Sequence, residues 1–183
     1  MRLTAKTLGL VKVRKEVLDE QLAKRIPPQA LRFLEDHASW TVSVLKLAEV
    51  QEFLSLMLRK EEMNEGSVPE VVVMVLPYPH ASREAPIAHG SFLPGLCQIR
   101  VYPGLASYHQ LEGMTDAKVR KFQEVVADGD SGIRFAQRHI LTVIHEILHV
   151  KYGHDEPLVE LRSHEYMDEF FAWLKSRPSL RAR

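Results

Sequence analysis

The chain has 183 residues, of which 45% are hydrophobic, and these values suit one compact globular domain. Its formal net charge of zero argues against electrostatic capture of nucleic acid or of an anionic membrane, and no apolar run approaches the roughly 18–20 residues of a membrane span. Because Cys97 is the single cysteine, an intramolecular disulfide is excluded, and we expect a cytoplasmic protein without a membrane partner.

The first third of the chain has the hydrophobic periodicity of helices. We expect three of them, interrupted by Ile-Pro-Pro after the first, over residues 14–25, 28–38 and 44–62. The segment EGSVPE (65–70) is typical of a loop and predicts a domain boundary. The division is then an N-terminal helical region, 1–64, and a second unit, 65–183. The N-terminal region would be a cover over a cleft or a binding module.

The middle of the chain changes to strand patterns. EVVVMVLP (70–77) is β-branched and continuously apolar, which predicts a buried central strand. Residues 87–103 contain two short extended runs around Pro94-Gly95. A surface helix that ends in a loop is expected over 115–130.

Two helices are expected at the end of the chain. The first covers 133–152, with Asp130 or Ser131 as its N-cap and Gly153 as its terminator. The second covers 156–176. Helices, a small mixed sheet and two further helices together predict an α+β fold.

The motif HEILH (145–149) lies in the penultimate helix. Residues four apart share one helical face, so His145 and His149 can bind one metal ion, while Glu146 is rotated by about 100° and stays free. This is the H-E-x-x-H pattern of zinc peptidases, with Glu146 as general base. The surrounding residues are apolar, and burying these polar groups without partners would cost several kcal/mol. We therefore predict bound Zn²⁺ and a protein or peptide substrate.

A catalytic zinc ion usually has three protein ligands and one open position. Four side chains downstream of the motif are candidates for the third ligand: His154, Glu160, His164 and Glu165. The sequence pattern alone leaves this choice open. Tyr152 or Tyr166 could donate a hydrogen bond to an oxyanion, or either could lie at the boundary of the core.

The last 90 or so residues resemble the gluzincin branch of the zincin metallopeptidases, in particular the small intracellular peptidases that cleave phage-type repressors and act in bacterial radiation response. The resemblance rests on HEILHVKYGH (145–154) and on EYMDEFFA (165–172). It implies a zincin-like fold with Glu165 as third ligand, Glu169 beside it, and His154 next in preference. It also implies that the segment 92–103 forms an edge strand that pairs with substrate. Asp168 departs from the family, which has a small residue there.

A non-catalytic alternative is a regulatory or protein-interaction domain that zinc stabilises. The residue that separates the two functions is Glu146, because a structural site has no use for a free carboxylate and closes its shell with a fourth protein ligand.

Overall fold

The computed structural model describes residues 11–17, 20–63, 68–77, 89–103, 111 and 115–177. Their elements are, in chain order, β1 (Val13–Glu16), a single helical turn (Glu20–Ala23), α1 (Pro28–Leu45), α2 (Ala48–Lys60), β2 (Glu70–Met74), β3 (Gly90–Leu93), a 3-10 turn (Pro94–Leu96), β4 (Gln98–Val101), α3 (Asp116–Ala127), α4 (Gly129–Tyr152) and α5 (Glu156–Lys175). The predicted α+β class and small mixed sheet are confirmed.

The strands form one sheet in the order β1-β2-β4-β3. β1, β2 and β4 are parallel, whereas β3 pairs antiparallel with β4. The prediction of a buried central strand is confirmed, since Val71, Val72 and Val73 in β2 are at most 2% exposed. The predicted edge strand 92–103 is instead a hairpin, and within the described residues only β3 lies at that edge.

The helices pack on one face of the sheet. Strand side chains alternate between faces, so Val71 and Val73 join the main core while Val72 and Met74 lie in a small cluster on the opposite face. From α4, the buried side chains of Ile144, Ile147 and Leu148 enter the main core. This packing fixes the rotation of α4 and turns its polar stripe toward β3 and α5.

Two local expectations are wrong. The helix predicted over 14–25 begins as β1 and continues as one helical turn, because alternating burial of Val11 and Val13 lets this segment pair with β2. The loop expected near residue 130 is absent, and α4 begins directly after α3, with Asp128 rather than Asp130 or Ser131 at its N-cap.

The proposed division at residue 64 stays a prediction. In the structure, β1 belongs to the same sheet as β2, and buried side chains from α1 and α2 share one hydrophobic cluster with those from α4 and α5. None of the helices in the described ranges is long and apolar enough to cross a membrane.

Candidate metal centre

The two histidines of the motif lie one turn apart on α4 and face each other. His145 Nε2 and His149 Nε2 are 3.1 Å apart, and both side chains are partly buried. The structure thus brings together the pair that the spacing predicts.

A third side chain joins the pair through the turn between α4 and α5. α4 ends at Gly153, whose φ of +63° favours glycine, and Asp155 caps α5 by accepting a hydrogen bond from Leu158 N. Glu156, the first residue of α5, consequently lies against both rings. Its Oε1 is 3.1 Å from His145 Nε2, and its Oε2 is 3.2 Å from His149 Nε2.

Hydrogen bonds on the far side of each ring determine which nitrogen faces the cluster. His149 Nδ1 donates to the carbonyl oxygen of Gly153 over 2.6 Å, which leaves the Nε2 lone pair directed at His145 and Glu156. Ser163 Oγ donates to the Glu160 carbonyl, so at 3.5 Å it is an acceptor for His145 Nδ1. Burial lowers the pKa of His145, and a neutral ring is favoured, although Glu156 opposes this shift.

The two imidazole nitrogens and the Glu156 carboxylate are spaced for a zinc ion. With bonds of about 2.0–2.1 Å, neighbouring ligands of a tetrahedral zinc are separated by about 3.3 Å. The two Nε2 atoms are 3.1 Å apart, Glu156 Oε1 is 3.1 Å from His145 Nε2, and Glu156 Oε2 is 3.2 Å from His149 Nε2, so the carboxylate faces each ring with a different oxygen. Two imidazoles and a carboxylate are also a known ligand set of catalytic zinc. Among the described residues this is the one group of three ligating side chains whose ligand atoms lie within 4.8 Å of one another.

Glu146 lies outside this group and beneath β3. The residue is 8% exposed, and burial raises its pKa to about 7, against the opposing effects of His149 and the Phe92 backbone. An ideal Cβ on Gly90 would lie 2.8 Å from Glu146 Oε1 and 2.5 Å from Thr142 Cγ2. Only glycine therefore allows β3 to approach α4 this closely.

The cluster opens into a cleft between β3, α4 and α5. A cavity of about 700 Å³ extends from the histidines toward the N-terminal part of α4, and Arg138, Glu160 and His164 are among its lining residues. A smaller cavity of about 280 Å³ lies on the other side and is lined by Phe92, Pro94 and His154 among others. The group of His145, His149 and Glu156 therefore lies at the middle of a groove along β3.

The candidates for the third ligand lie in different places. Glu165 is not brought to the histidines and forms an ion pair of 2.8 Å with Arg162. Glu160 and His164 line the larger cavity, and His154 lines the smaller one. The residue that sequence reasoning missed is Glu156. Its position after the tight turn was a usable signal, because the first turn of α5 must pass closest to His149.

Glu61, just after α2, connects the C-terminal end of α4 to the middle of α5 through its buried carboxylate, away from the cleft. Its side chain is 1% exposed and accepts hydrogen bonds from Lys151 Nζ at 2.8 Å, Tyr152 Oη at 2.6 Å and Arg162 Nη2 at 2.7 Å, as well as from Tyr166 Oη. Burial alone would raise the pKa of Glu61, but these four donors lower it to about 2. Both tyrosine hydroxyls are thus engaged with Glu61, and neither tyrosine lines the cleft.

Comparison of the chain with protein families, with curated proteins and with solved structures found no match. Function is therefore inferred from the geometry of this site.

Proposed function

We propose that the chain is a zinc-dependent peptidase of zincin-like fold, in which His145, His149 and Glu156 hold the metal and Glu146 is the general base. The observation that carries the proposal is the convergence of three acceptor groups, two imidazoles and one carboxylate. With both Nδ1 atoms engaged elsewhere as donors, the two Nε2 lone pairs are 3.1 Å apart, and each nitrogen lies within 3.2 Å of one oxygen of the Glu156 carboxylate. Three mutually repelling acceptors at such distances call for a cation.

Zinc held at such a site acts as a Lewis acid that polarises a carbonyl group and activates water. Glu146 lies one residue from a proposed ligand, and its carboxylate is not part of the ligating group. It can accept a proton from the attacking water on Oε1 or Oε2 and then deliver that proton to the leaving amine nitrogen. The peptide C–N bond breaks, and the products are a carboxylic acid and an amine.

The edge strand supports a peptide as substrate. Tyr102 N donates to His89 O over 2.9 Å, so residues 89, 91 and 93 use their backbone groups to pair with β4. The backbone groups of Gly90 and Phe92 then point to the open edge, beside Glu146. An extended peptide can add to this edge as a further strand, which positions it by main-chain hydrogen bonds irrespective of its sequence.

The structural-zinc alternative is less well supported. A structural site is closed by a fourth protein ligand, whereas this group of three lines an open cleft of about 700 Å³. Glu146 also lies buried against the edge strand, where it would serve no purpose in a structural site.

The deciding experiment compares metal content and peptide hydrolysis in the wild type, Glu146→Gln and His149→Ala. After incubation with zinc and gel filtration, we expect about one zinc per chain in the wild type and in Glu146→Gln, and far less in His149→Ala. Hydrolysis of a mixed decapeptide library, followed by mass spectrometry, should occur only in the wild type. A matched control is His164→Ala, which removes another imidazole of the cleft and should keep the zinc. A wild type that binds no zinc, or a Glu146→Gln variant that is fully active, overturns the proposal.

A further inference from the structure

One end of the larger cavity carries a positive charge that no described carboxylate neutralises. Arg138 lies on the same face of α4 as Thr142 and His145, lines the cavity and is exposed. Its guanidinium carbon is 5.8 Å from the centroid of the Phe135 ring, and within the described ranges the side chain takes part in no ion pair. Glu156 and Glu160 lie instead beside the histidines, so the cleft is negative at its centre and positive at the Arg138 end.

The described groups that line this end of the cavity with Arg138 are neutral. His89 borders the same end of the cavity, and burial together with the charge of Arg138 lowers its pKa. Its Nδ1 is buried and has no hydrogen-bond partner among the described residues. Ser91 also lines the cavity, and its hydroxyl lies 3.4 Å from that of Tyr102. A cation flanked by neutral polar groups in a cleft is suited to binding a carboxylate.

The direction of β3 determines which part of a peptide would reach Arg138. Gly90 faces Thr142 and Glu146, whereas Phe92 and Pro94 line the smaller cavity with His149 and Gly153. β3 and α4 therefore run the same way along the groove. A peptide that adds antiparallel to β3 has its C-terminal side toward Arg138.

The distance can be expressed in residues of substrate. Arg138 precedes His145 by seven residues, which is about 10 Å along the helix at 1.5 Å per residue. An extended peptide covers that distance with about three residues, each rising about 3.3 Å.

We infer that Arg138 determines substrate specificity by binding a carboxylate about three residues to the C-terminal side of the scissile bond. The carboxylate belongs to an Asp or Glu side chain or to the C-terminus of the peptide. This inference rests on the proposed peptidase function and adds a preference for acidic substrates to it.

The first test is the cleavage pattern of a decapeptide library in the wild type, Arg138→Gln and Arg134→Gln. Arg134 is an exposed arginine one turn earlier on α4 and is the matched control. We expect Asp and Glu, or the free C-terminus, to be enriched about tenfold at the second to fourth positions after the cleaved bond in the wild type and in Arg134→Gln. Arg138→Gln should lose this enrichment with unchanged zinc content.

The second test measures binding without turnover. Zinc-loaded Glu146→Gln is titrated calorimetrically with the best-cleaved peptide, with its Glu→Gln analogue and with its C-terminal amide, which identifies the source of the carboxylate. We expect about tenfold weaker binding of whichever analogue lacks that carboxylate, and no such difference once Arg138→Gln is added.

The outcomes separate the two proposals. Cleavage without a preference for acidic groups, or a preference that survives in Arg138→Gln, overturns the inference on Arg138 alone. A zinc-loaded wild type that neither binds nor cleaves any peptide overturns the peptidase function and this inference with it.

Discussion

The imidazole of His149 and the carbonyl group of Gly153 are joined by a hydrogen bond of 2.6 Å from Nδ1 to the oxygen. The backbone N–H of Gly153 in turn donates to the His149 carbonyl over 2.9 Å. One glycine therefore ends α4 and orients the imidazole of His149, a proposed metal ligand of that helix. Partners behind a metal ligand fix the ring orientation and contribute to metal affinity.

Replacing this glycine should weaken zinc binding. In Gly153→Ala the φ of +63° becomes strained, so the carbonyl moves away from His149. We expect zinc affinity to fall by about 10–100-fold, as measured by competition with a chromogenic chelator. Gly129→Ala is the control, because an added Cβ there meets nothing within 4 Å. Equal zinc affinity in both variants would show that the Gly153 carbonyl does not orient the ligand.

The identity of the third ligand can be settled by parallel alanine variants. Glu156→Ala should lower zinc affinity by at least about 100-fold, because in the proposed site it removes a ligand and not merely a supporting group. Glu165→Ala should leave zinc affinity unchanged, since this carboxylate pairs with Arg162. The opposite result, with zinc lost only in Glu165→Ala, would favour the assignment that the family resemblance implies.

Glu156 and Glu165 show which part of the site can be predicted from the sequence and which part cannot. Helical periodicity and the i,i+4 rule are local, so they predict that His145 and His149 lie together. The identity of the third ligand depends on how the turn at 153–155 sets the rotation of α5, and a rotation of about 100° exchanges one residue for the next.

The first strand could not be predicted from its own residues. The alternation of apolar residues at Val11 and Val13 is compatible with a strand, but the charged residues that follow suit a helix equally well. Only the partner strand β2 decides between them.

Gly90 should be required for catalysis and not for metal binding. In Gly90→Ala the new methyl group would overlap Thr142 Cγ2 and Glu146 Oε1, whose distances to an ideal Cβ are 2.5 and 2.8 Å. We expect β3 and Glu146 to separate, with a stability loss of about 1–3 kcal/mol and at least tenfold slower peptide hydrolysis. Zinc content should be unchanged. Gly95→Ala, in the open turn after β3, is the control, and equal activity of the two variants would contradict the expectation.

Glu61 should be among the most important polar residues for stability. Glu61→Ala leaves Lys151 and Arg162 without their buried partner, so we expect a loss of about 3–5 kcal/mol in the free energy of unfolding by urea at pH 7. Glu169→Ala, which removes an exposed ion pair with Lys60, should cost no more than about 1 kcal/mol. Similar losses in the two variants would show that the buried network contributes little.

The same carboxylate should make the protein sensitive to acid. The pKa of Glu61 is lowered from 4.5 to about 2 in the folded chain. As the pH falls, the Glu61 carboxylate is therefore protonated in the unfolded state before it is protonated in the folded state. The stabilisation that Glu61 contributes is complete above pH 4.5 and is lost as the pH falls toward 2. Urea unfolding between pH 5 and pH 3 should show a shallower loss of stability in Glu61→Gln than in the wild type. Parallel curves would contradict this.

A buried histidine pair should add a second pH dependence at milder acidity. His37 Nε2 on α1 and His139 Nε2 on α4 are 3.3 Å apart, and the residues are 4% and 1% exposed. Burial lowers the pKa of His37 to about 4 and that of His139 to about 3. In the unfolded chain both pKa values return to about 6.5. The stability that the neutral pair contributes is therefore fully present above pH 6.5 and is lost as the pH falls toward 4.

The loss amounts to about 2 kcal/mol per imidazole at pH 5, because each pH unit below 6.5 contributes about 1.4 kcal/mol. Urea unfolding at pH 7.5, 6 and 5 should therefore give a smaller loss in His37→Phe, which keeps an aromatic ring but cannot be protonated. His154→Gln removes an exposed histidine and should follow the wild-type curve. If His37→Phe loses as much stability between pH 7.5 and 5 as the wild type does, the His37 imidazole is already protonated in the folded state and this prediction is wrong.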